Sequence, residues 1–126
     1  MGQIRESRTT DGVKATVDDY IQGTYTADAA LLKSVFHEKA ALSGYMSAEI
    51  LIASPEAFIA DVTSKPSMKS SGTQYETEVT DIEITGKIAT ATVTETGFFG
   101  EVSFRDYFHL IHDKEWKIIS KLFTTL

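Results

Sequence analysis

The sequence contains no cysteine among its 126 residues, which excludes disulfides, thiolate metal sites and a cysteine nucleophile together. Asparagine is absent too, so N-glycosylation is excluded. No apolar run approaches the length of a membrane-spanning helix. Basic residues are in the minority, 12 Lys and Arg against 18 Asp and Glu, for a formal net charge of −6. No block of Lys or Arg supplies the footprint that nucleic acid or an anionic membrane requires. The opening MGQIRESRTTDG is polar and lacks the apolar centre of a secretion signal. It also carries Glu6 where a myristoylation signal needs Ser or Thr. These absences predict a cytoplasmic protein with neither nucleic acid nor membrane as partner.

What is present describes one ordinary folding unit. The apolar and charged fractions, 42% and 24%, are those of a globular chain large enough to bury a core without staples. Residues 1–10 read as a flexible lead-in and 11–126 as a single domain. From Thr10-Asp11 onward Val13, Val17, Tyr20, Ile21 and Thr24 recur at helical spacing, with Gly23 in the last turn. A second helix follows closely, capped by Thr26, with Asp28 complementing its dipole and Leu31, Leu32, Val35 and Phe36 as its buried stripe. So short a link makes the two an angled pair. AALSGY and EILIAS read as two short strands. Ser54-Pro55-Glu56 then opens a third helix with a capping serine, proline at the first position and an acid in the first turn. The Ser- and Lys-rich stretch TSKPSMKSSGT reads as a mobile flap or edge.

From Gln74 to the end the pattern is strand. Turn signals at Gly86, Gly97–Gly100 and Asp113-Lys114 divide it into four antiparallel strands. The order of elements predicts an α+β fold, with three helices gathered on the concave face of a curved, mainly antiparallel sheet. A two-residue tip at Phe98-Phe99 pairs Glu95 with Val102, Val93 with Phe104 and Ala91 with Asp106. A two-residue turn at Asp113-Lys114 pairs Asp106 with Lys121. Together these collect Ala89, Ala91, Val93, Glu95, Val102, Phe104, Asp106, Phe108, Leu110, Ile119, Lys121 and Phe123 on an inner face. The outer face receives Arg105, Tyr107, His109, Trp116, Ile118, Ser120 and Leu122. Its half-apolar character predicts a homodimer through that face.

Three charges on an apolar face mark a pocket, because ions rarely enter such a surface without purpose. Asp106 and Lys121 read either as a structural ion pair or as a pocket pair, with the ammonium favouring an ionised Asp106. Glu95, with Val102 opposite and no cation forced near it, is the sharper candidate base: desolvation would raise its pKa toward the range of a general base. It reads equally as a strand-end carboxylate reaching solvent. Lys121, Tyr20, Tyr45, Phe104 and Phe108 are the candidate ligand-binding residues, and Trp116 a further aromatic with core or interface as the plainer reading. His37 suits a helix end, His109 the outer face and His112 a turn, so no paired-histidine spacing predicts a metal. No cofactor is predicted. No Ser or Thr has an evident His-acid partner for covalent hydrolysis. Gly97-Phe-Phe-Gly100 reads as a hairpin tip whose aromatics form a pocket rim or contact a partner.

A family resemblance rests on Tyr20-Ile21-Gln22-Gly23, Asp28 with Leu32 and Phe36-His37, Ala89 with Val93, Phe104-Arg105-Asp106-Tyr107 with Leu110, and Trp116-Lys117-Ile118 with Lys121 and Phe123. Spanning roughly residues 12–124, this text resembles the nuclear transport factor 2-like superfamily, and within it the putative lumazine-binding subfamily of bacterial proteins. The resemblance implies a cone of curved sheet wrapped around three helices. It implies less about activity, since this superfold hosts isomerases, cyclases, dehydratases, epoxide hydrolases and non-catalytic adaptors. The subfamily name implies a heterocyclic ligand, and the isomerases use a pocket carboxylate to move a proton beside a carbonyl. Lys114 departs from the pattern, which commonly has glycine after the turn aspartate; a type I′ turn would put this lysine at positive φ. The expectation is therefore a protein that binds a small, largely apolar or aromatic molecule in an internal pocket. The alternatives are an isomerase or cyclase using Glu95 or Asp106, and a non-catalytic dimerisation or adaptor domain.

Overall fold

The computed structural model describes residues 2–126 and builds one six-stranded sheet with helices on its inner face. The elements run α1 (Gly2–Glu6), α2 (Thr10–Thr26), α3 (Ala29–Val35), β1 (Phe36–Met46), β2 (Glu49–Ala53), α4 (Pro55–Thr63), β3 (Glu76–Thr85), β4 (Ile88–Phe98), β5 (Val102–Asp113) and β6 (Glu115–Thr125). The strand order is β2-β1-β6-β5-β4-β3. Every pairing is antiparallel except β1 with β6. The fold is the expected α+β class.

The helices follow their apolar stripes. Val13, Val17 and Tyr20 of α2 are fully buried. The helix stops at Ala27, which turns left-handed at φ 55°. Gly23 is there for close approach rather than helix ending: a Cβ would lie 2.8 Å from Leu32 Cγ, where α3 crosses. The cap of α3 is Asp28, whose Oδ1 accepts from Leu31 N–H at 3.0 Å. Thr26, expected as that cap, stays inside α2 and donates to the Gln22 carbonyl. Phe36, expected on the helix, opens β1 instead but remains buried. Ser54 caps α4 as expected, its Oγ accepting from Ala57 N–H at 3.2 Å.

Two segments expected to be loose are tied down. Of the lead-in, Met1 lies outside the described residues. Gly2–Glu6 form α1, and Arg5 packs: it is buried and lies 3.4 Å from both Asp19 and Glu115. The Ser7 carbonyl accepts from Trp116 Nε1 at 2.8 Å. Room for this crossing comes from Gly12, where a Cβ would sit 1.9 Å from the Ser7 carbonyl oxygen. Polar groups of the segment thus find partners in the fold. The flap segment is likewise pinned: Met68 is fully buried, and its carbonyl accepts from Thr73 N–H.

The inner face of β4 and β5 holds Ala89, Ala91, Val93, Glu95, Phe104, Asp106, Phe108 and Leu110, all buried as expected. Their partners differ. Val93 faces Asp106 and Glu95 faces Phe104, two residues from the expected register. The slide is even, so it leaves the faces intact. In the last hairpin Asp113 pairs with Glu115, leaving Lys114 alone at the tip with φ 68°. The side chains near this turn are therefore inverted: Trp116 and Ile118 are fully buried, while Ile119 faces outward and is half-buried. A bulge at Ile119 then restores the expected facing for Lys121 and Phe123.

Candidate functional site

The site sits where β4, β5 and β6 present their charges to α2 and α4. Asp106 lies opposite Phe123, and Lys121 opposite Phe108. The expected direct Asp106–Lys121 pair is thus replaced by a diagonal one, because the one-residue tip and the bulge shift the register. Among the described residues no carboxylate lies within 4 Å of Lys121 Nζ and no hydrogen bond engages it. Its ammonium instead lies over three rings, 4.7 Å from the centroid of Phe58, 5.1 Å from Tyr20 and 5.2 Å from Phe123. Ring faces attract a cation, most strongly where water is excluded. Tyr20 stacks on Phe58 and meets Phe108 edge-on at 5.1 Å, so the cage is rigid.

Behind the cage lies a sealed polar network. Glu95 is 1% exposed. Its Oε2 accepts from Tyr20 OH at 3.3 Å, and its Oε1 accepts a short hydrogen bond from Tyr75 OH. Asp106 is fully buried, with no donor in reach of either carboxyl oxygen. A carboxylate so placed would be costly, but the protonated acid is itself a donor, and Glu95 is the acceptor beside it. Burial raises the Asp106 pKa well above its usual value; Lys121 opposes this, while the Glu95 charge and hydrogen bond reinforce it. Burial also pushes Glu95 up, but the Asp106 hydrogen bond, the Lys121 ammonium and the two phenols outweigh it and leave Glu95 lowered. The two carboxyls therefore exchange the expected roles. Glu95 holds the charge and Asp106 the proton, because three donors converge on Glu95 and none reaches Asp106. Burial and the Glu95 charge likewise hold Tyr20 and Tyr75 as neutral phenols.

In front of the cage is a recess of about 330 Å³, bounded by Leu42 and Met46 of β1, Leu51 and Ala53 of β2, Ala57, Phe58 and Asp61 of α4, and Phe98, Phe104, Lys121 and Phe123. Of the predicted ligand-binding residues, Lys121 and Phe104 line this recess, and Tyr20 and Phe108 form the packed layer behind it. Tyr45 does not belong to it. It is 46% exposed on the outer face beside Tyr107 and Leu122, since β1 alternates and Leu42 and Gly44 take the inner positions. Trp116 is core. Glu95 and Asp106 do not line the recess. Phe98 and Phe99 lean onto the core, with Phe98 at the recess wall.

Tyr75 and Phe58 carry the site and were not singled out for it from the sequence. Tyr75 stacks on Tyr25 at 6.1 Å and closes the network over Glu95. A trace of it was available: Tyr75, just before β3, continues the alternation of Thr77 and Val79. Among the described residues no group of three His, Asp or Glu could hold a metal ion, and no helix is long and apolar enough to cross a membrane.

No functionally curated protein matches the chain in sequence. Its shape is that of several solved structures. An NTF2-like protein of unknown function from Silicibacter pomeroyi DSS-3 is 24% identical, with 90% of this chain and 92% of that one covered at a TM-score of 0.80. One from Methylobacillus flagellatus KT is 22% identical, with 93% and 91% covered at 0.78. A ketosteroid isomerase-like protein from Erwinia carotovora atroseptica SCRI1043 is 12% identical, with 90% and 93% covered at 0.64. At these identities the likeness is one of fold, and the fold is NTF2-like. The family model described as putative lumazine-binding matches residues 8–124, and the chain belongs to that family.

Proposed function

We propose that the protein binds a small, largely apolar or aromatic molecule in the recess between α4, the β1–β2 hairpin and β6. One observation carries this reading: an apolar hollow of about 330 Å³ with the unpaired ammonium of a largely buried lysine in its wall. Ligand pockets have this composition, mostly apolar with a few placed polar groups. Phe58, Phe104 and Phe123 offer ring faces to a flat ligand, and Lys121 offers donors that fix its orientation. The family description points the same way. Native mass spectrometry and a thermal-shift screen of aromatic compounds test it, with Ala57→Trp as the control. Ala57 is exposed at the recess, so tryptophan there should fill the hollow with little effect on folding. Ligands that shift the wild type but not this variant support the site; no ligand, or ligands indifferent to the variant, remove it.

Proton-transfer chemistry is the second reading, favoured by one feature, a buried carboxyl pair near two tyrosines in which Asp106 is held up and Glu95 down. In it Asp106 acts as the acid and Glu95 as its charged neighbour. For the partner, we propose a homodimer through the outer sheet face. Tyr45, Ile50, Ile52, Tyr107 and Leu122 are exposed together there around Arg105. Sedimentation showing only monomer at micromolar concentration would remove it.

A further inference from the structure

Hydrogen-bond accounting around Lys121 specifies the ligand further. Glu95 already has two donors, Tyr20 and Tyr75. Lys121 has three ammonium N–H groups, and among the described residues none has an acceptor. The ring faces of Phe58, Tyr20 and Phe123 attract the charge but accept no conventional hydrogen bond. The nitrogen itself is not fully enclosed: it reaches the recess, where water meets its N–H groups until a ligand acceptor displaces it. Lys121 is 7% exposed and lines the recess with Phe58 and Phe123, the rings its ammonium overlies. The missing acceptor therefore belongs in the recess. Asp61, the carboxylate among its lining residues, is exposed at the rim, where water screens it.

We propose that the ligand is a flat aromatic acid, its rings against Phe58, Phe104 and Phe123 and its anionic oxygen accepting from Lys121 Nζ. This rests on the pocket reading above and goes beyond it in naming the group that meets the lysine. A charge-assisted hydrogen bond is stronger than a neutral one, and a carboxylate suits an ammonium without an ion-pair partner.

A matched pair of probes tests this: naphthoate, and naphthalenemethanol as its uncharged counterpart, titrated by calorimetry against the wild type, Lys121→Met and Lys121→Arg. The expected preference for naphthoate in the wild type is on the order of 10- to 100-fold. Lys121→Met should abolish that preference while leaving the alcohol within about threefold, since the rings remain. Lys121→Arg, which keeps the cation, should retain part of it and guards against loss of fold in the methionine variant. Equal affinities in the wild type overturn the aromatic acid while leaving the pocket standing. A naphthoate preference that survives in Lys121→Met overturns it as well, because the charge would then be read elsewhere. Failure of both probes to bind wild type overturns the pocket reading and this assignment with it.

Discussion

The β4–β5 and β5–β6 hairpins carry the same two irregularities at different separations. Each has an odd-numbered tip, which alone would invert every side chain of the incoming strand, and each has a bulge that inverts them back. In β4–β5 the tip is the three residues between Phe98 and Val102, and the bulge follows at once, between Phe98 and Glu95. In β5–β6 the tip is Lys114 alone, and the bulge waits until Ile119. The first hairpin therefore has no inverted stretch of any length. The second has one from Glu115 to Ile118, and that stretch delivers Trp116 and Ile118 to the core. Facing depends on parity, and the distance between the two defects decides which residues cross the sheet. Lys121 and Glu95 reach the same face because both defects have been passed in both hairpins.

The inverted stretch is the sharpest point at which to break this comparison. Trp116→Ala should cost about 3–5 kcal/mol, as for a fully buried aromatic, and should release the Ser7 carbonyl that holds the N-terminal segment. Its neighbour across the bulge, Ile119→Ala, should cost within about 1 kcal/mol, since that side chain faces out. Chemical denaturation of the two variants measures both; equal costs would remove the inversion.

A smaller effect tests the register of the first hairpin, which sets Asp106 diagonal to Glu95. The folded state holds a proton on Asp106 above pH 3.8, its usual pKa, where the unfolded chain has released it. Stability due to this group therefore falls as pH rises, by up to about 1.4 kcal/mol per unit, until Asp106 ionises in the fold. Glu95 acts in the opposite sense: lowered in the fold, it stabilises above its ordinary value of 4.5, and that contribution is lost as acid reaches its folded pKa. Asp106→Asn keeps a donor toward Glu95 and removes the titration. Its stability relative to wild type should rise with pH from about pH 4 upward. A difference that stays flat between pH 4 and about pH 7 would sink the proton held on Asp106.

The smallest effect lies at the second tip. Lys114 is exposed at φ 68°, a region that disfavours any residue with a Cβ. Lys114→Gly should raise the unfolding free energy by about 1 kcal/mol, read from the denaturation midpoint. A loss of stability would mean that the tip relies on the lysine.

How much of this the sequence disclosed follows from the same parity. The α+β class, the four-stranded meander and the charged inner face were legible because alternation survives an even slide: Glu95 and Asp106 were placed correctly with the wrong partners. The facing of Trp116, Ile118 and Ile119 was not legible, since nothing in WKIISK marks where a bulge will form. Exchange of the carboxyl roles was hidden for a second reason. It depends on Tyr20 and Tyr75, brought to Glu95 from 75 and 20 residues away in sequence. Likewise Arg5 looked like part of a polar tail until Asp19 and Glu115 were folded beside it.

The position of β6 in the sheet bears on how the sheet is assembled. Strand order β2-β1-β6-β5-β4-β3 places β6 between the first two strands and the other three. Without residues 115–125 a β1–β2 hairpin and a β3–β5 meander would have no seam between them, and each would present an unpaired edge. The same strand brings Lys121 and Phe123, so pocket and sheet are completed together. A chain stopped at Asp113 would have neither. The two open edges would make it prone to pair with other chains before it could fold.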